Sequence, residues 1–126
     1  MANAIVTVTA RKKMLQARAG EITLPKITGF AFGNGGVDED GTVRPPGEGQ
    51  LELTSEIFRK PVSGYTMLSD TQCRYECTLE NHELPGEKIS EVGMYDEDGD
   101  LVAIKTFTEK GKDSDIEMTF HLEDSF

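Results

Sequence analysis

The 126-residue chain has no tryptophan, only two histidines and two cysteines, and 13 lysines and arginines against 23 acids. Each scarcity excludes something. A net charge of -10 gives no general attraction to nucleic acid or to an anionic membrane, so neither is expected as a partner. A surface for a basic partner stays open. No apolar run approaches the ~20 residues of a membrane span, and the N-terminus lacks the apolar core of a signal peptide. Synthesis and folding in a cytoplasm are therefore expected. On a strand over Gln72 to Leu79, Cys73 and Cys77 would share a face but lie ~13 Å apart, beyond disulfide reach. There is no CxxC, and only His82 and His121 could join them as ligands, so no metal is expected and both thiols read as buried small hydrophobes.

The length suits one domain over residues 1–126. Charge is unevenly spread: Met1 to Phe30 holds five Lys or Arg against one Glu, a local +4, which leaves eight bases against 22 acids, -14, elsewhere. Such asymmetry either steers head-to-tail packing of copies or marks a solvated basic helix.

Ile5 to Val8 reads as a short strand or as the lead-in to a helix. Thr9 suits an N-cap, Ala10 to Ala19 is rich in helix formers, and Gly20 stands where a C-cap glycine belongs. Met14, Leu15 and Arg18 break any clean apolar stripe, so this helix should pack on one narrow side. Ile22 to Leu24 and Ile27 to Phe32 are apolar enough for short strands separated by Pro25. From Gly33 through Gly49, GNGGVDEDGTVRPPGEG is rich in glycine and acid with almost nothing to bury, which marks a surface loop. Loops of this length are uncommon unless functional or disordered, and this segment is the one expected to order on meeting a partner.

Leu51-Glu52-Leu53 restarts alternation, and Ser55 to Val62 reads as a strand or a short helical turn ending at Pro61. From Gln72 to Leu79, Cys73, Tyr75, Cys77 and Leu79 alternate with polar residues, the period of a half-buried strand. Asn81 to Glu87 is a loop. Ile89 to Tyr95 and Leu101 to Phe107 flank the acidic turn Asp96-Glu97-Asp98-Gly99-Asp100 and predict a β-hairpin. After a turn over Glu109 to Ser114, Ile116, Met118, Phe120 and Leu122 define one face of a last strand. One early helix and strands closing the chain predict an α+β fold, mostly antiparallel β sheet or sandwich with one N-terminal helix.

Asp96, Asp98 and Asp100 have the spacing that opens many calcium loops. The sixth position, however, is Leu101 where glycine is needed, and the twelfth is Phe107 where a bidentate glutamate is needed. Neither His82 nor His121 accompanies a nucleophile motif, so no catalytic residue, cofactor or enzymatic activity is expected. Gly33-Asn34-Gly35-Gly36 lacks the lysine and following helix of a phosphate cradle and reads as a turn. Tyr65, Tyr75, Tyr95 and Phe58 look like core or edge residues, although an exposed tyrosine pair would suit a carbohydrate- or protein-binding module, the alternative role.

Three segments in order along the chain, Phe32-Gly33-Asn34-Gly35-Gly36, Glu56 to Val62 (EIFRKPV) and Ile89 to Ala103 (ISEVGMYDEDGDLVA), carry a resemblance. Together they resemble the phage tail-collar fibre family, whose N-terminal domain links a tail fibre to the baseplate of a contractile tail. The resemblance runs from about Thr9 to about Phe107. It implies a structural virion protein, made in the bacterial host cytoplasm, of a contractile phage tail or a phage-tail-like bacteriocin (tailocin). It further implies a tail-fibre or baseplate attachment role, baseplate or tail-fibre proteins as partners, and a homo-oligomer within the assembly. The sequence ends at Phe126 without a long fibre shaft, so attachment without a distal receptor-binding part is expected.

The residues shared with the family, Glu56, Arg59, Glu91, Gly93, Tyr95, Asp98 and Gly99, are expected to determine the fold. Gly93 inside an apolar strand suggests a bulge or a close approach. Arg59 and Glu91 are expected to pair, each a lone charge amid apolar neighbours. Gly33, Asn34, Gly35, Gly36 and Arg44, with the basic N-terminal segment, are the expected contact surfaces.

Overall fold

The computed structural model describes residues 3–126. Apolar alternation resolves into β1 (Asn3–Val6), α1 (Val8–Arg18), β2 (Ile27–Gly33), β3 (Glu56–Pro61), β4 (Gly64–Ser69), β5 (Gln72–Leu79), β6 (Lys88–Asp96), β7 (Leu101–Gly111) and β8 (Met118–Ser125). Two antiparallel sheets result, ordered β1-β7-β6-β2-β3 and β4-β5-β8. This is the α+β arrangement of mostly antiparallel sheet with one N-terminal helix that the sequence predicts.

The two sheets share one core. Phe30 and Phe32 of β2, Val92 and Met94 of β6 and Ala103 of β7 meet Cys77 and Leu79 of β5 and Leu122 of β8. Phe120 stands edge-on to Phe32, ring centres 5.2 Å apart, and ties β8 to the middle of the large sheet. The other face of the large sheet carries Ala31, Tyr95, Leu101 and Ile104, and the β2–β3 connection closes over it with Leu53. Two covered faces account for the fully apolar reading of β6, every residue of which after Lys88 is buried.

The helix begins earlier than predicted. Its N-cap is Thr7, not Thr9: the Thr7 hydroxyl accepts from Ala10 N at 3.2 Å and donates to the Leu101 carbonyl at 2.7 Å. Thr7 leaves β1 beside β7, so one hydroxyl both starts the helix and fixes it to the sheet. Gly20, at φ 85°, follows the end as expected, donating to Ala17 O. Ala10 is the only residue of α1 that is fully buried, which fits the narrow packing side.

Other differences have local causes. Ile22 to Leu24 forms no strand; Ile22 and Leu24 are exposed in an irregular connection. The strand β4 was not legible, because Tyr65 to Leu68 do not alternate in polarity and point mostly to solvent. Ile116 precedes β8 and is exposed, while Met118, Phe120 and Leu122 keep the expected face. Cys77 is buried as expected, with its thiol pushed up to about 11 by burial, whereas Cys73 is only half-buried near the sheet's end.

Thr7→Ala removes a cap and a buried hydrogen bond and should cost roughly 1–2 kcal/mol in urea unfolding, against about 0.5 or less for Thr9→Ala. Equal costs at the two positions contradict the assignment of Thr7 as cap.

Candidate functional site

Glu91 lies in the middle of β6 and is buried, a position where a lone carboxylate is costly unless it is fully hydrogen-bonded. Three backbone N–H groups satisfy it. Its Oε2 accepts from Gly35 N at 2.9 Å and Ser55 N at 2.8 Å, and its Oε1 accepts from Thr54 N at 2.9 Å. The register of β6 against β7 shifts between Ile89 and Glu91, and the neighbouring Ser90 also reaches the same loop, its Oγ accepting from Gly36 N at 2.9 Å. On the far side Thr106 Oγ1 donates to Arg44 O at 2.6 Å.

The glycines of the β2–β3 connection exist for this contact. A Cβ at Gly33 would stand 2.5 Å from both Glu91 Oε2 and Ser55 O, one at Gly35 would stand 2.8 Å from Glu91 Oε2, and one at Gly36 would collide with the Ser90 carbonyl. Gly35, Thr54 and Ser55 therefore form an anion cradle, with the protein's own carboxylate as the anion, and Gly33 and Gly36 leave the room it needs. The connection is not a free loop. Beyond the cradle Val37 bridges Val43, Asp38 N donates to Thr42 O at 2.8 Å, and Arg44 N donates to Gly36 O at 2.8 Å. Gly33 and Gly36 are buried, while Asn34, Arg44 and the tip Asp38 to Thr42 face solvent.

The expected Arg59–Glu91 pair does not form. Arg59 lies across β2 from Gly93 and is two residues off Glu91's row in the sheet; its guanidinium instead bonds Glu56 at 2.8 Å and covers the Tyr95 ring at 3.7 Å. The Glu56 hydrogen bond raises the Arg59 pKa. Tyr95 Oη in turn donates to Glu56 Oε1 at 3.2 Å, and burial, with the Glu56 charge adding, pushes its phenol up to about 12. Glu56, Arg59 and Tyr95 thus close one corner of the face that Glu91 organises. Gly93 is a close approach and not a bulge: its missing Cβ would stand 2.7 Å from Leu101 Cδ1 and 3.0 Å from Leu53 Cδ2.

The acidic turn has a cationic occupant from the chain itself. The Asp96, Asp98 and Asp100 carboxylates lie within 4.8 Å of one another, and Lys13 of α1 inserts its ammonium among them at 2.7, 3.1 and 2.7 Å. Burial by itself lowers the Lys13 pKa, but hydrogen bonds to the three carboxylates outweigh it and raise the pKa above the ordinary lysine value. Asp96 Oδ1 also accepts from Asp98 N and Asp100 N, and Gly99 takes φ 84°, so the turn is a three-residue hairpin loop ending in a left-handed glycine. Nothing local in the sequence connects Lys13 to a turn 83 residues away.

Among the described residues, no helix is long and apolar enough to cross a membrane. One open groove of about 560 Å³ is lined by Met14, Leu24, Pro25, Tyr65, Tyr75 and Phe126, with Asp124 at its edge, whose carboxyl burial pushes up.

Glu91→Ala leaves three partly buried N–H groups without their acceptor and should cost about 2–3 kcal/mol in urea, against about 1 or less for Arg59→Met. The two effects should add to within roughly 0.5 kcal/mol, and coupling above about 1 kcal/mol contradicts the separate roles. Because the folded Tyr95 pKa is raised above the unfolded value near 10, its contribution is intact below about pH 10 and lost as pH rises toward about 12. Alkaline unfolding followed at 295 nm should show that loss, and Tyr95→Phe should reduce its steepness.

The family model described as phage tail-collar fibre protein, N-terminal, matches residues 1–120, a wider span than the Thr9 to Phe107 resemblance. No curated protein and no solved structure matches the chain. With nearly its whole length matched, the chain belongs to the phage tail-collar fibre protein family, as an N-terminal domain and a structural component of a phage tail.

Proposed function

We propose that the chain is one rigid attachment domain, without enzymatic activity, that joins a tail fibre to the baseplate of a contractile phage tail or a phage-tail-like bacteriocin. The observation that carries this is the division of labour in the β2–β3 connection. Its base is immobilised on Glu91, Ser90 and Thr106, and its tip projects Asp38, Glu39 and Asp40 into solvent. A loop held at its root and charged at its end suits docking at a low ordering cost, since little conformational freedom is left to lose.

Opposite in charge, α1 exposes Arg11, Lys12 and Arg18 together with the apolar Val8 and Leu15. The acidic tip, with Asn34 and Arg44 at its base, and the basic helix face are the proposed contact surfaces with neighbouring baseplate or fibre proteins. Several symmetric copies, assembled after synthesis in the host cytoplasm, would present them around the tail axis.

One observation favours a second role, a small carbohydrate- or protein-binding module. Tyr65 is largely exposed beside the half-buried Tyr75, ring centres 6.0 Å apart and rings tilted by 42°, at the rim of the groove, an aromatic surface against which a sugar or a peptide could pack. Glycan-array binding that is lost in Tyr65→Ala would favour that role.

Replacing Asp38, Glu39 and Asp40 together by Asn, Gln and Asn should leave the unfolding midpoint unchanged and reduce incorporation into purified tails, measured by mass spectrometry of the particles, at least several-fold. Unaltered incorporation rejects the tip as a contact.

A further inference from the structure

Acids outnumber lysines and arginines 23 to 13 in this chain, yet one groove has no acid in its lining. It measures about 300 Å³ and lies between β7 of the large sheet and β8 of the small one. Its floor is apolar: Phe107 and Phe120, both half-buried with ring centres 5.7 Å apart, and Met118 beside them. Around the floor stand Lys105, Lys110 and His121. The larger groove differs, because Lys13 and Lys26 there are offset by Asp96 and Asp124 and no sign of charge is selected.

The three basic groups are not equally free. His121 already faces Glu76 at 3.4 Å. Among the described residues neither Lys105 nor Lys110 makes an ion pair, and Lys110 Nζ donates to Thr108 Oγ1 at 3.0 Å. Glu123 on β8 is held by Arg74 and Gln72, each at 2.8 Å, which leaves Lys105 without it.

We propose that this groove takes an acidic peptide segment of a partner protein, with an apolar side chain seated against Phe107 and Phe120 and a carboxylate reaching each lysine. Charge selects the sign, and spacing selects a peptide. Lys105 and Lys110 are five residues apart on β7, about 16 Å along an extended strand, with Phe107 between them. A phosphate or a single anionic headgroup cannot reach both, and an acidic sugar brings no apolar group for the floor. An extended peptide of about five residues carries acids on both sides of one apolar side chain over the same length. The volume suits one large side chain, being at the bottom of the range for small-molecule sites. Thr106, which alternates with Lys105 and Phe107, donates to Arg44 O, so the groove opens on the opposite face of the sheet from the β2–β3 connection. It is a third surface, and it rests on its own lining and not on the attachment role.

Titration of the isotope-labelled full chain with the blocked peptide acetyl-Asp-Glu-Phe-Glu-Asp-amide, followed by NMR amide shifts, tests it. Shifts confined to Lys105 to Lys110 and Met118 to His121 are expected, with a millimolar or tighter Kd that weakens at least about threefold when NaCl is raised to about 0.3 M. Exchanging the peptide's acids for Asn and Gln, or its Phe for Gly, should each weaken binding at least about threefold, as should Lys105→Gln combined with Lys110→Gln. Should that double variant fail to fold, Lys110→Gln alone, at an exposed position, should weaken binding about twofold. No shifts up to about 5 mM peptide, shifts centred elsewhere, equal binding of the neutral or the glycine peptide, insensitivity to salt, or binding unchanged in the folded lysine variant each overturns the proposal.

Discussion

Burying a carboxylate in the centre of a sheet is tolerable only when its lone pairs are filled, and Glu91 fills them with the N–H groups of Gly35, Thr54 and Ser55. Those donors come from both ends of the long β2–β3 connection. One side chain therefore determines where the connection leaves β2 and where it returns to β3. Leu53 is carried into the second core by the same contact, and the glycines at 33, 35 and 36 are required by the space that the carboxylate and the β6 backbone already occupy. A larger residue at Gly36 would have to push the β6 backbone away, and one at Gly33 or Gly35 would displace the Glu91 carboxylate or the returning Thr54–Ser55 backbone.

A second, smaller constraint works at the opposite end of the same hairpin. Lys13 enters the acidic turn, so the helix is held to the large sheet by Thr7 at its start and by an ion cluster one and a half turns later. With so few apolar contacts under α1, these polar attachments set its orientation, and its basic outer face is left to solvent. Membership of the tail-collar fibre family then acquires a physical meaning. The residues that the chain shares with the family lie within the scaffold, while the acidic loop tip and the basic helix face are left to solvent.

Much of this was visible in the residues. Period-2 alternation located β5 and β8, the Asp-Gly turn located the β6–β7 hairpin, and Gly20 located the helix end. Failures came where a distant partner decides. The Thr7 cap depends on Leu101, the occupant of the acidic turn is Lys13, and β4 is an edge whose outer side has nothing to alternate against. Charge alone pairs Arg59 with Glu91, but they lie in different rows of the sheet, and each has a nearer partner. The cradle itself left a trace: an acid inside an otherwise apolar strand, and a glycine cluster with no ligand to hold, are each unexplained singly and account for each other together.

The central claim is that the connection is fixed by Glu91 within the isolated chain, before any partner is met. Amide hydrogen exchange of Gly35, Thr54 and Ser55, read by NMR, tests it most directly. Protection comparable to that of the β6 amides, lost in all three together in Glu91→Ala while β5 and β8 stay protected, is the predicted result. Exchange of these amides at the rate of an unstructured loop in the wild-type chain would contradict it.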